Sequence, residues 1–411
     1  MESYDLKRKR YFVGLLILFL LLFIITELFY RKPLFDKSCE WIKYIQKNSS
    51  SKGWDDFWYI ITIVGTQAVL LPMFFIIYLF KSLKHSYLFL SVLALSVFLD
   101  NLMKNIYANP RPYMIDREII IKHCDAGYGN PSGHSFSSTV SYLAFFHLMT
   151  DVPWFKKNWT NLIVKGILLG LTIILVLAIM FSRFYLGVHT LNQLMYGCLC
   201  GFSLYFFYFY FLAFHKYTNG EFFNLFYKLN FRIIHSIMFV AFIVLNFGLY
   251  FFNTHDTSDW NKLIEEKCPE VPIYRRFDND AGINSLTIFA MIGAYIGLAI
   301  VLSWRNNIDK EGESYEELNY WNTTNIKRFL LRLLVTLVLT AVSMSSYLLI
   351  SKDGSLAIII PFKIILSFLL VGMALFGLVI FISIKCNLAN ENFDIMEGGD
   401  FTKLHAEHNT A

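Results

Sequence analysis

Ten apolar runs set the limits on what this 411-residue chain can fold into. They lie at roughly 11–30, 58–80, 85–103, 135–150, 162–181, 190–213, 233–252, 283–303, 329–350 and 356–383, and most match the ~20 helical residues that cross a hydrocarbon core of about 30 Å. A backbone in lipid must satisfy its own N–H and C=O groups, so runs of this length read as transmembrane helices. Composition agrees, with 56% hydrophobic residues, 18% aromatic residues and a mean hydropathy of +0.48. The expected fold class is an all-α polytopic membrane protein. The first run follows "KRKR" but has no small-residue cleavage site, so it is expected to stay as an anchor.

Charge and cysteine usage narrow the partners. The net charge is only +5 and no basic arm is present, which argues against nucleic acid. The six cysteines show no zinc-type spacing, and Cys198 and Cys200 lie inside an apolar run. Lys7 to Arg10, Lys81, Lys84, Lys156 and Lys157 border alternate helix ends, so those ends and the N-terminal residues 1–10 are expected to be cytoplasmic. Cys39, Cys124 and Cys268 then share the opposite face, where they allow one internal disulfide whose pair the sequence does not choose. From about 386 to 411 the tail is polar and is expected to be disordered and cytoplasmic.

Two crossings separate the loop at 104–134 from the loop at 182–189, so both lie on one face and are able to build one site. The first contains Lys104, Arg111 and "NPSGHS"; the second reads "SRFYLGVH" and contains Arg183 and His189. Three cations and two imidazoles suit a phosphate dianion. Arginine offers bidentate forks and lysine a point charge. Ser132, Gly133 and His134 stand at the mouth of a helix, where free N–H groups and the helix dipole favour an anion. One neutral histidine is able to attack phosphorus while a second, protonated, donates to the leaving oxygen.

"KNIYANPRP", "PSGH" and "SRFYLGVH" resemble the three signature motifs of the type 2 phosphatidic acid phosphatase (PAP2) superfamily, which includes lipid phosphate phosphatases, sphingosine-phosphate phosphatases and glucose-6-phosphatase. The resemblance covers about the first 215 residues. It implies a six-helix phosphatase core at 11–215, followed by a four-helix region at 216–385 that it leaves unexplained. It further implies that Lys104, Arg111, Ser132, Gly133 and Arg183 hold the phosphate, that His189 is the nucleophile and that His134 is the general acid. Where the family commonly has an acidic residue four positions after the nucleophile, this chain has Gln193, placed to orient the His189 ring.

The expectation is a metal-independent phosphoric monoester hydrolase with no cofactor, forming a phosphohistidine. Its substrate is expected to be a phosphorylated lipid, with a small sugar phosphate as the alternative. The protein is expected to span the endoplasmic reticulum or plasma membrane, with membrane lipids as neighbours and the site lumenal or extracellular. From a different class, the alternative is a non-catalytic lipid or anion binder or transporter built on the same fold. The oligomeric state is not legible in the sequence.

Overall fold

The computed structural model describes residues 13–14, 17–19, 21–125, 127–150, 159–211, 217, 219–226, 228–252, 255–269, 271, 277–308, 326–350, 358–386 and 388. The N-terminal segment 1–10 and, apart from Cys386 and Leu388, the tail at 386–411 lie outside them, as does part of the first apolar run.

All regular structure among the described residues is helical. The main helices are α1 (Arg31–Asn48), α2 (Lys52–Val64), α3 (Gln67–Phe80), α4 (Leu83–Tyr107), α5 (Gly133–Thr150), α6 (Trp159–Tyr185) and α7 (Leu191–Phe206). They continue with α8 (Leu229–Phe252), α9 (Ser258–Lys267), α10 (Phe277–Ser285), α11 (Ile288–Ile308), α12 (Ile326–Ser343) and α13 (Ile359–Lys385), the last interrupted by π turns. Six stretches among the described residues are long and apolar enough to cross a membrane: Lys52–Phe80, Leu83–Ile115, Thr160–Tyr185, Leu229–Leu249, Asp280–Trp304 and Ile359–Lys385. Each coincides with an expected run.

Helices α5 and α7 are less apolar for a physical reason. Ser135, Ser137, Ser138, Thr139 and Ser141 are all buried on α5, and small residues let α5 and α7 approach closely. A Cβ on Gly197 would stand 2.5 Å from the Ser132 carbonyl oxygen, and one on Gly201 would stand 2.7 Å from that of Phe136. Gly293 and Gly297 of α11 meet α13 in the same way.

One hydrophobic core joins both halves of the chain, running from Phe74 and Phe98 through Phe136 to Leu298 and Phe376. The Tyr78 hydroxyl donates to the Leu375 carbonyl at 2.5 Å. A second, smaller core lies around the polar loops and combines Cys39 and Ile42 of α1 with Tyr113, Tyr128, Tyr185 and Ile264. Cys124 is disulfide-bonded to Cys268, whereas Cys39 is free and buried. The bridge ties the first motif-bearing loop to the segment after α9, so the C-terminal half is covalently fastened beside the site.

Candidate active site

Each motif residue is delivered by a helix end. Lys104 occupies the last turn of α4, one turn beyond Asp100 on the same face, and its ammonium pairs with that carboxylate at 2.8 Å. Both side chains are buried. The chain leaves α4 through Ala108, whose φ of 44° lies in the left-handed region, and its N–H closes the helix on the Lys104 carbonyl at 2.8 Å. Arg111 follows and is 1% exposed.

Arg111 uses its whole donor fork. Its Nε donates to the Gly127 carbonyl at 2.7 Å and its Nη2 to that of Tyr128 at 3.3 Å. Its Nη1 reaches the Val188 carbonyl at 3.3 Å and His189 Nε2 at 3.0 Å. One guanidinium thus clamps the loop before α5 to the loop before α7. Arg183, at the end of α6 and 0% exposed, donates through Nη1 to Thr62 Oγ1 at 3.1 Å.

The two arginines share a carboxylate. Asp125 Oδ1 lies 2.9 Å from Arg111 Nη2, and Asp125 Oδ2 lies 3.0 Å from Arg183 Nη2. Burial alone would raise this carboxyl, but Arg111 and Arg183, with Lys104 and His189 adding to them, hold it well below the usual carboxylate range. Two buried guanidiniums beside each other need such a counter-charge.

His189 is fixed at both nitrogens. Nδ1 faces the Gly129 carbonyl at 2.9 Å and Gln193 Oε1 at 3.3 Å. Burial, then the charges of Arg111 and Arg183, push its pKa well below the usual imidazole value, so the ring is neutral at pH 7. Arginine only donates, so the neutral ring accepts at Nε2 and carries its proton on Nδ1. Gln193 also donates through Nε2 to the Pro110 carbonyl at 2.9 Å, and its Oε1 accepts from the Thr190 N–H at 3.3 Å. It therefore links the first motif to the third.

His134 begins α5 with its Nε2 buried and without a hydrogen-bond partner. Its ring edge rests against Gly65, at the break between α2 and α3, where a Cβ would come within 3.3 Å of it. Ser132 serves α5 directly: its Oγ caps the Ser135 N–H at 3.5 Å and its own N–H is taken by the Gln193 carbonyl at 3.0 Å. Gly133 admits the lysine pair, because a Cβ there would lie 2.6 Å from Asp100 Oδ2 and 3.3 Å from Lys104 Nζ.

The structure brings Lys104, Arg111, Arg183, His134, His189 and Gln193 into one electrostatically coupled group at one end of the bundle. Sequence reasoning missed Asp125, Thr62 and the Gly129 carbonyl. Asp125 stands six residues before Pro131 between Cys124 and small residues, and no spacing rule marks it. It also gave no role to α1, which carries Gln46; this side chain clamps Ile120 by accepting from its N–H at 2.9 Å and donating to its carbonyl at 3.0 Å.

Residues 86–217 match the family model of the PAP2 superfamily, and that stretch contains every one of these motif residues. The chain carries a PAP2 segment. The chain is also similar to named relatives. The dihydrosphingosine 1-phosphate phosphatase YSR3 of Saccharomyces cerevisiae is 26% identical over 178 residues, 40% of this chain and 40% of the relative. The dolichyldiphosphatase of the same organism is 33% identical over 113 residues, 26% of this chain and 45% of the relative. Dolichyldiphosphatase 1 of Callithrix jacchus is 29% identical over 130 residues, 30% of this chain and 51% of the relative. The chain thus spans about half or less of the length of these relatives. Among solved structures, a transmembrane PAP2 type phosphatidylglycerolphosphate phosphatase from Bacillus subtilis is similar at a TM-score of 0.41 and 22% identity, covering 49% of this chain and 96% of that one.

Proposed function

We propose that this protein is an integral membrane phosphoric monoester hydrolase that acts on phosphorylated lipids through a phosphohistidine at His189. The observation that carries the reading is the convergence of Arg111, Arg183 and the Lys104–Asp100 pair around a histidine whose Nε2 is the unprotonated nitrogen. The PAP2 segment and the phosphatase relatives support it.

In this reading the phosphoryl oxygens take the Nη groups of Arg111 and Arg183 and the Lys104 ammonium. Arg111 Nη1 then releases Nε2 of His189, whose lone pair attacks phosphorus. Burial and the Arg183 charge hold the His134 pKa well below the usual imidazole value, so its proton is taken up with the substrate's phosphate; His134 gives it to the leaving alkoxide, and the P–O bond to the lipid breaks. Water, losing a proton to His134, next attacks the phosphohistidine, and inorganic phosphate leaves. Nδ1 keeps its proton throughout, donating it to the Gly129 carbonyl, with Gln193 holding the ring. Phosphate-monoester hydrolysis is among the slowest uncatalysed reactions, so preorganised cations supply most of the acceleration.

A site at the end of a membrane bundle opens where lipid headgroups lie, which favours a lipid substrate. Cys124–Cys268 fits an oxidising compartment, hence a lumenal or extracellular site in the endoplasmic reticulum or plasma membrane. Phosphate release from purified protein, comparing phosphatidate, a phosphorylated sphingoid base and glucose 6-phosphate, tests the assignment. Preference for the lipids supports it. Preference for glucose 6-phosphate reassigns the substrate, and release from none of them favours a binder or transporter.

A further inference from the structure

We propose that Asp125 is an internal anion that occupies the phosphate seat of the resting protein and must be displaced before substrate binds. This deepens the reading of the site as a phosphate site and rests on it.

The geometry is that of a ligand rather than of a bystander. The two oxygens of one carboxylate bridge two different arginines at 2.9 and 3.0 Å, as two equatorial phosphoryl oxygens would. The arginines are buried, at 1% and 0% exposure, whereas the Asp125 side chain keeps 27% of its surface open. Of these three side chains, that of Asp125 is thus the one that solvent reaches. Arg111 Nη2 and Arg183 Nη2 cannot bind phosphate in the same way while both hold Asp125.

The backbone beside Asp125 is held firmly. Its carbonyl accepts from the Tyr113 hydroxyl, its neighbour Cys124 is bridged to Cys268, and Gly127 and Tyr128 are held by Arg111. Displacement is therefore opposed by the anchored loop as well as by the two ion pairs. Its consequence is a competition: a phosphate or phosphate mimic binds with its intrinsic affinity divided by the fraction of molecules in which the seat is clear. In exchange, the empty protein avoids two uncompensated buried cations.

The test uses full-length protein in detergent and orthovanadate as the probe, with affinity read by titration calorimetry and by vanadate-dependent thermal stabilisation. Asp125→Asn keeps the side-chain shape and removes the charge. It is expected to bind vanadate about tenfold more tightly than wild type, because the competing state is lost. It is also expected to be less stable without anion, with vanadate recovering the difference. Where Asp125→Asn does not fold, Tyr113→Phe carries the same test. It leaves every charge in place and frees the Asp125 backbone, and is expected to bind vanadate at least about twofold more tightly. Equal or weaker vanadate binding in a folded variant overturns the proposal and makes Asp125 a residue that positions the arginines. Failure of wild type and variants alike to bind vanadate or orthophosphate overturns the phosphate reading itself.

Discussion

Arg111 Nη1 and His189 Nε2 are 3.0 Å apart, and that contact fixes where the imidazole proton sits. The guanidinium has only hydrogens to offer, so Nε2 carries the lone pair that accepts from it. The Gly129 carbonyl receives the proton on Nδ1 at 2.9 Å. The tautomer of the ring is thereby set by a backbone carbonyl and an amide rather than by a carboxylate.

The first consequence concerns pH. Burial and the charges of Arg111 and Arg183 lower the His189 pKa, so the free-enzyme ring loses its nucleophilic form only as the pH falls well below the usual imidazole value. The acid limb of kcat/KM is expected well below about pH 6.5. Gln193→Asp places an anion near Nδ1, which favours the imidazolium and moves that limb to higher pH. Gln193→Leu removes both the ring contact and the bond to Pro110, and is expected to lower kcat markedly. Full pH–rate profiles decide, and near-normal turnover in Gln193→Leu would remove Gln193 from the site.

A second prediction concerns close packing. Gly133→Ala inserts a Cβ 2.6 Å from Asp100 Oδ2 and 3.3 Å from Lys104 Nζ, so the buried pair has to shift. Loss of one preorganised donor typically costs about 100- to 1,000-fold in rate, and a loss approaching that range is expected in kcat/KM while the protein still folds. Activity assays beside a thermal-unfolding measurement separate the two effects. Wild-type kinetics in Gly133→Ala would mean that Lys104 takes no part.

Much of this arrangement was legible beforehand. Six of the ten apolar runs coincide with described stretches long and apolar enough to cross a membrane, and parity puts Arg111 and His189 on one face, where they meet. Gln193 was readable from its place four positions after His189, but His189 precedes α7, so Gln193 reaches back over the helix start and its Oε1 lies 3.3 Å from His189 Nδ1. Asp125 was not readable, since nothing local distinguishes a loop carboxylate that pairs across 58 residues with Arg183. The Gly197–Gly201 contact was hidden for the same reason: close helix approach depends on which faces meet, and only tertiary packing determines that.

Charge neutralisation by Lys104, Arg111 and Arg183 leads to a third prediction. Activity is expected to survive EDTA unchanged and to be inhibited by vanadate, which binds where the phosphoryl group does. Loss of turnover in EDTA, recovered by adding Mg²⁺, would place the chemistry on a metal.

The disulfide provides a fourth. Cys124 and Cys268 act as one unit, so Cys124→Ser, Cys268→Ser and the double variant are expected to lose the same amount of thermal stability, within measurement error. Additive losses would show that the two thiols contribute separately.

The central claim is that His189 carries the phosphoryl group. Brief reaction of purified protein with a ³²P-labelled lipid phosphate, quenching in alkali and peptide mapping measure it most directly. The account predicts an acid-labile label on His189, absent in His189→Ala and, for substrates with poor leaving groups, formed slowly in His134→Ala. Continued turnover by His189→Ala, or a label on any other residue, would contradict it.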